Sequence, residues 1–346
     1  MLVNKKNLFS HNFSGHLESV LIIVLLLYWG KYLFTPLTLA FFTSIFLLPL
    51  ARLFEKIHIP RGLASALPVI LLLLFTAGFL YFFKSELANI ISDLPALKLK
   101  LKSASDALQQ WIESKYKIDI AAQAAFINKQ INALLNSPGA GLTGILKLLI
   151  LPVLFLIFTF YILFYRKMLL EFILSFFEKK DYYKIQGLSS GLQSTINNYI
   201  KGLFIEMGVL IIVSYLILLV LGIKYAILMA VLAGLFNVIP YIGIYTAALL
   251  NMLITITTGT FHQTFEVFIV FIILHVADAN LLMPVIVGNR IKLNPFITLV
   301  SVITGELIWG IPGMFLFIPI TGTLKIIFER TNDLRPLALL IGKEKM

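Results

Sequence analysis

Residues 267–290 read VFIVFIILHVADANLLMPVIVGNR. The run from Val267 to Leu274 is wholly apolar, yet His275, Asp278 and Asn280 follow it, and Pro284 predicts a helix stop. A helix needs about 20 apolar residues to cross the hydrocarbon layer. The stretch therefore reads as a membrane segment that carries an acid and an amide near its end. Whether the chain lives in lipid decides the fold; why the acid is there decides the function.

Composition answers the first question. Hydrophobic residues make up 59% of the 346 residues and charged residues 13%, with a mean hydropathy of +0.94. Soluble domains carry about a quarter charged residues, so a soluble globular domain is excluded. The formal charge of +11 belongs to short loops that face anionic headgroups. No basic block interleaved with aromatics occurs, so no nucleic-acid partner is expected. Cysteine is absent, which removes disulfides, thiolate metal sites and cysteine nucleophiles.

The spans follow from the apolar runs. Lys5 and Lys6 precede a run beginning near Val20 that continues through YWGKYLFTP, predicting a retained first helix rather than a cleaved signal. Leu17–Ala51 predicts two helices joined by a tight turn near Lys31–Pro36. Gly62–Phe83, Leu148–Tyr165 and Gly202–Ile223 are three further spans. Beyond Tyr225 the segments shorten: Tyr225–Ile239 and Ile244–Thr257 flank PYIG, Phe265–Met283 leads into Pro284, and Phe296–Phe328 is broken by GIPG at 310–313. That last segment would span roughly 50 Å as one helix at 1.5 Å per residue, too long for one crossing. It predicts a hairpin turning near Trp309–Gly313. The fold class is an all-α polytopic membrane protein with about eight membrane segments, including broken helices and a C-terminal re-entrant-type hairpin.

Short basic loops set the orientation. Arg52, Lys56 and Arg61 oppose one acid, Glu55; Arg166, Lys167, Lys179, Lys180, Lys184 and Lys201 outweigh Glu171, Glu178 and Asp181. Both loops and the Lys5/Lys6 terminus read as cytoplasmic. The expected organisation is a three-helix membrane region at 1–83 and an extracytoplasmic helical insert at 84–147, with Trp111, Ile112 and Tyr116 on an amphipathic stripe. A fourth membrane helix with a cytoplasmic helical linker follows at 148–201, then a membrane transport region with broken helices at 202–330 and a cytoplasmic tail at 331–346.

Acids at membrane depth cost about 2.5–3.5 kcal/mol on insertion scales and mark pathways or partners. Three qualify. Glu206 lies near Lys201 and Gly202, where snorkelling to headgroups accounts for it as well as burial does. Asp278 and Asn280 face opposite sides of a regular helix and address one ligand only if the helix loosens before Pro284. Loosened backbone would add carbonyls to an oxygen set suited to a proton or to Na⁺ at Asp278. Glu306, at the hairpin tip, is expected to point inward. Asn237 belongs to the break formed with Pro240, Tyr241 and Gly243; Gly305, Gly310, Pro312 and Gly313 are candidate hinges. His275, three residues before Asp278, is a candidate proton relay. The remaining histidines (His11, His16, His58, His262) lack ligand spacing, so neither a metal site nor a cofactor is expected. No His-Glu-x-x-His, Gly-x-Ser-x-Gly or P-loop pattern is present, so the chain does not read as an enzyme.

NNYIKG (197–202), VLAGLFNVIPYIG (231–243), DANLLMPVIVGNRIKLNPF (278–296) and GELIWGIPGMFLFIP (305–319), in that order, resemble the autoinducer-2 exporter-like (AI-2E) family. Asp278 stands where that pattern leads one to expect glutamate. The resemblance implies a multi-span bacterial inner-membrane transporter, assembled as a homo-oligomer described as pentameric. Its substrate would be a small molecule such as autoinducer-2, or a monovalent cation in Na⁺(Li⁺)/H⁺ antiport. A non-transporting membrane scaffold is the reading from another class, and buried acids argue against it.

Overall fold

The computed structural model describes residues 12–92, 142–179, 182–239, 242–287, 293–331 and 334–342. Most of the insert expected at 84–147 lies outside these residues, as do Pro240 and Tyr241. Every extended element among the described residues is a helix. Six are long and apolar enough to cross a membrane, and three shorter apolar helices accompany them, as the all-α expectation requires.

The chain forms two compact units. One comprises 1–66, 154–200 and 290–346; the other comprises 67–153 and 201–289.

In the first unit, α1 (Asn12–Trp29) meets α2 (Lys31–Lys56) at Gly30. The expected turn at Lys31–Pro36 is corrected here. Gly30 N donates to the Leu26 carbonyl, and Phe34 N donates to that of Gly30, at 2.8 and 2.9 Å. These bonds end α1 and begin α2, so the joint is a one-residue bend at Gly30, immediately before the expected stretch. Pro36 sits inside α2. At the other end of α2, Glu55 is ion-paired with Arg166 of α4 (Leu142–Ser175). Arg61, opening α3 (Arg61–Ser92), lies 5.7 Å from the Phe164 ring. The two basic loops thus share one end of this unit, which agrees with their common side in the charge reading.

The expected C-terminal hairpin is present in the same unit, as α9 (Pro295–Trp309) and α10 (Ile311–Arg330). Asn294 caps α9, its side-chain oxygen accepting from Ile297 N at 2.7 Å, with Pro295 at the first helical position. Gly310 makes the turn at φ 67, ψ −147, a region open almost only to glycine. A Cβ on Gly305 would lie 2.2 Å from the Gly313 carbonyl oxygen, and one on Gly313 would lie 1.9 Å from that of Gly305. The helices touch backbone to backbone at these residues. Farther along, the Ser301 and Thr321 hydroxyls pair at 2.8 Å. Trp309 Nε1 donates to the Leu27 carbonyl at 3.0 Å.

A last helix, α11 (Arg335–Ile341), brings the chain end back to the start of α9. Asn294 N donates to the Ile341 carbonyl at 3.1 Å, and its side-chain amide donates to that of Leu340 at 2.7 Å.

The second unit is built on α5 (Tyr182–Val220), α6 (Ala226–Asn237), α7 (Ile242–Thr258) and α8 (Phe261–Ala277). Only the later part of α5 belongs to it; the helix runs without a break from Tyr182 to Val220. Leu218, Met229, Ala233, Ala247, Val267 and Phe271 form its buried core. A capping box opens α8: Gln263 N donates to Thr260 Oγ1 at 3.2 Å, and Thr260 N donates to Gln263 Oε1 at 3.0 Å. Pro284 does not end the helix. The chain widens to a π-helix over Asp278–Val287, whose wider winding accommodates a residue that lacks an N–H and clashes with the carbonyl four back.

Candidate functional site

Three helices of the second unit converge on Asp278. It closes α8 and opens the π segment, and is 8% exposed. The side-chain amide of Asn237, the last residue of α6, donates to Asp278 Oδ2 at 3.4 Å. The carboxyl of Glu206, on α5 and 5% exposed, lies within hydrogen-bonding reach of the Asp278 carboxyl. Asp278 Oδ1 is buried and, with both carboxyls ionised, accepts from no donor among the described residues.

Small residues make this convergence geometrically feasible. A Cβ on Gly234 would fall 2.4 Å from the Ile211 side chain and 3.0 Å from the Met207 carbonyl oxygen. Glycine therefore lets α6 press against α5 beside Glu206. Gly234 is one helical turn before Asn237, so the same face carries the amide toward the acids. A Cβ on Gly243 would fall 1.7 Å from the Phe236 carbonyl oxygen, so α7 can begin only on top of the end of α6 if residue 243 is glycine. That contact fixes the break and the place of Asn237.

One turn before Asp278, His275 Nε2 is 3.2 Å from the Tyr245 hydroxyl on α7. The two rings are 5.1 Å apart. His275 Nδ1 is buried without a partner.

The candidate residues thus separate. Asp278 and Asn237 meet, and His275 stands beside them. Asn280 is exposed and donates to the Val276 carbonyl of its own helix at 2.7 Å; the segment widens instead of unwinding and does not bring it to Asp278. Glu306 belongs to the other unit and is exposed. The expectation that it points inward is corrected: Gly305 takes the packed face of α9, and its neighbour falls about 100° around the helix. Pro312 is exposed at the start of α10, while Gly305 and Gly313 are buried against each other.

Glu206 is the residue sequence reasoning passed over. A signal was present: Gly202, Glu206, Leu210, Ser214 and Leu218 recur every four residues, and all are buried. An acid in register with such a stripe faces protein rather than headgroups.

Two carboxyls in contact hydrogen-bond only when one of them carries a proton. As two full charges about 4 Å apart they repel by about 4 kcal/mol at an effective dielectric of 20. The ionised pair therefore calls for a counter-cation, and the singly protonated pair does not. Such an arrangement is chemically able to hold either a proton or a cation.

An all-α chain with six helices of bilayer length and buried acids at the meeting of three helices is a multi-pass membrane protein. The chain belongs to the AI-2E transporter family, whose profile matches residues 17–333. It is 23% identical to YhhT of Escherichia coli over 326 residues, covering 94% of this chain and 93% of that protein. It is 24% identical to the AI-2 transport protein TqsA of Escherichia coli over 319 residues, 89% and 88% of the two chains. YrrI of Bacillus subtilis is 30% identical over 135 residues, 38% of its length. The family is one of transporters.

Proposed function

We propose that this protein is a secondary transporter of the bacterial inner membrane that exports a small molecule such as autoinducer-2. Export draws on an ion gradient at the Glu206–Asp278 pair. The observation that carries the reading is the convergence of two buried acids and the Asn237 amide from α5, α8 and α6. Buried acids are retained where they couple to an ion or a pathway. Membership of the family and the bacterial relatives support the rest. A homo-oligomer, pentameric by family resemblance, belongs to the same proposal.

A second reading, Na⁺(Li⁺)/H⁺ antiport, is favoured by the all-oxygen character of the pair once Asn237 presents its amide oxygen. The test is flux in proteoliposomes under imposed Na⁺ and pH gradients, with autoinducer-2 as the trial substrate. Export that collapses with the ion gradient and is lost in Asp278→Asn supports the first reading. Gradient-linked Na⁺ flux without autoinducer-2 movement supports the second. Silence toward both, from assembled protein, leaves the scaffold.

A further inference from the structure

Tyr245, near the start of α7, has 62% of its surface outside the protein, and its hydroxyl heads a series of polar atoms that leads toward the pair. Tyr245 Oη meets His275 Nε2 at 3.2 Å. On the far side of the same ring, Nδ1 is buried and has no partner. One helical turn on, Asp278 Oδ1 is likewise buried and has no donor. Residues three apart on a helix are neighbours, a spacing at which a single water can bridge a ring nitrogen and a carboxyl oxygen. The titratable groups facing the ring are Tyr245 from α7 and Asp278 from its own helix, with Glu206 of α5 behind Asp278. Asn237 of α6 is neutral.

We infer that Tyr245 and His275 form the proton entrance to the Glu206–Asp278 pair, with one water held between His275 Nδ1 and Asp278 Oδ1. The inference rests on the reading of that pair as the coupling site. A solvent proton joins the Tyr245 oxygen as the Tyr245 proton passes to His275 Nε2. His275 Nδ1 releases its proton to the water, and the water passes one to Asp278 Oδ1. One proton leaves solvent and one reaches the pair; both rings end neutral. The ring is left protonated on Nε2 alone, the opposite tautomer to the one it started from, so the pH jump reads a single transfer.

The measurement is infrared difference spectroscopy on the full-length protein in nanodiscs of phosphatidylethanolamine and phosphatidylglycerol. A photoacid supplies a pH jump, and the carbonyl stretch of protonated carboxylic acid is followed in time. Loss of that band in Asp278→Asn and its change in Glu206→Gln assign it to the pair. His275→Gln keeps a hydrogen-bonding side chain but cannot pass a proton through itself. It should slow the rise of the band about a hundred-fold, within the range a positioned proton-transfer group supplies, and leave the final amplitude unchanged. Added imidazole should restore the rate, and Tyr245→Phe should slow it as well. An unslowed rise in His275→Gln overturns the entrance while the coupling pair stands. Should His275→Gln fail to assemble, an unslowed rise in Tyr245→Phe overturns it equally. A band untouched by either acid substitution overturns the pair itself, and the entrance with it.

Discussion

Asn237 and Asp278, 41 residues apart in the chain, are joined by a 3.4 Å hydrogen bond from the amide to the carboxyl. The bond ties the end of α6 to the start of the π segment. It also leaves Asp278 with one oxygen engaged and one free of donors. A carboxyl held by a single neutral donor, beside a second carboxyl, is poised to change its proton rather than to fasten the fold.

The first prediction separates a working pair from a structural one. Asp278→Asn and Glu206→Gln should each abolish ion-linked flux in proteoliposomes while the protein still inserts and assembles. The double substitution should be no worse than either alone, since the groups act as a unit. Wild-type flux in Asp278→Asn would end the proposal.

Asn237→Ala should act differently. It removes one neutral donor and leaves the buried acids, so flux should persist with weakened ion affinity. The loss of a hydrogen bond to a charged group is worth about 1.5–3 kcal/mol, a shift of roughly ten- to a hundred-fold in the ion concentration for half-maximal flux. An unchanged ion dependence would remove Asn237 from the site.

Gly243→Ala is expected to disrupt the site without touching a polar atom. The added methyl would collide with the Phe236 carbonyl, and overpacking of this kind costs about 1–3 kcal/mol. A lower melting temperature in detergent, with loss of flux, is the outcome sought. Gly208→Ala, where a Cβ meets nothing within 4 Å, is the control on the same unit.

The hairpin gives a parallel test of rigidity. Gly305→Ala and Gly313→Ala should each destabilise it, because each glycine occupies the space a methyl on the other would need. Gly310→Ala should do so through backbone strain, at φ 67 and with open space around it. If the hairpin moves as a gate, Ile308→Cys should react with a soluble thiol reagent at a rate that depends on the ion. Ile308 is buried, and a rate indifferent to the ion would mark the hairpin as a fixed contact.

Topology is open to cysteine labelling because the chain has none of its own. Ser105→Cys should react from outside the cell and Lys343→Cys from the cytoplasm. The opposite result for either residue overturns the orientation. The bend at Gly30 leaves this expectation intact for Ser105, since its side is set by the basic ends of α2, α3 and α4.

What the sequence made legible follows physical rules of different reach. Hydropathy and length are local sums, and they placed the membrane class, the span after Arg61 and the hairpin around Gly310. The charge of the short loops is also local, and the Glu55–Arg166 pair agrees with it. Contacts between distant residues are another matter. Asp278 was visible as a buried acid, but its neighbours were sought two residues away at Asn280 instead of 72 residues away at Glu206. Nothing in a run of apolar residues says which helix will lie beside which. The glycines hinted at it, since Gly234, Gly243, Gly305 and Gly313 are each required by a backbone or side chain elsewhere. The one-dimensional pattern shows the small residue and hides the partner. Pro284 misled for a local reason: it rules out one winding of the backbone, and the chain adopted another.

The return of α11 to Asn294 has a consequence for biosynthesis. Asn294 N–H and its side-chain amide are bonded to Ile341 and Leu340, residues the ribosome adds only after the whole hairpin. The whole α9–α10 hairpin is therefore made before the clasp at its entrance can close. A chain interrupted between Arg330 and Leu340 would carry the hairpin with its entrance unfastened, so the clasp is a later step than the hairpin it closes.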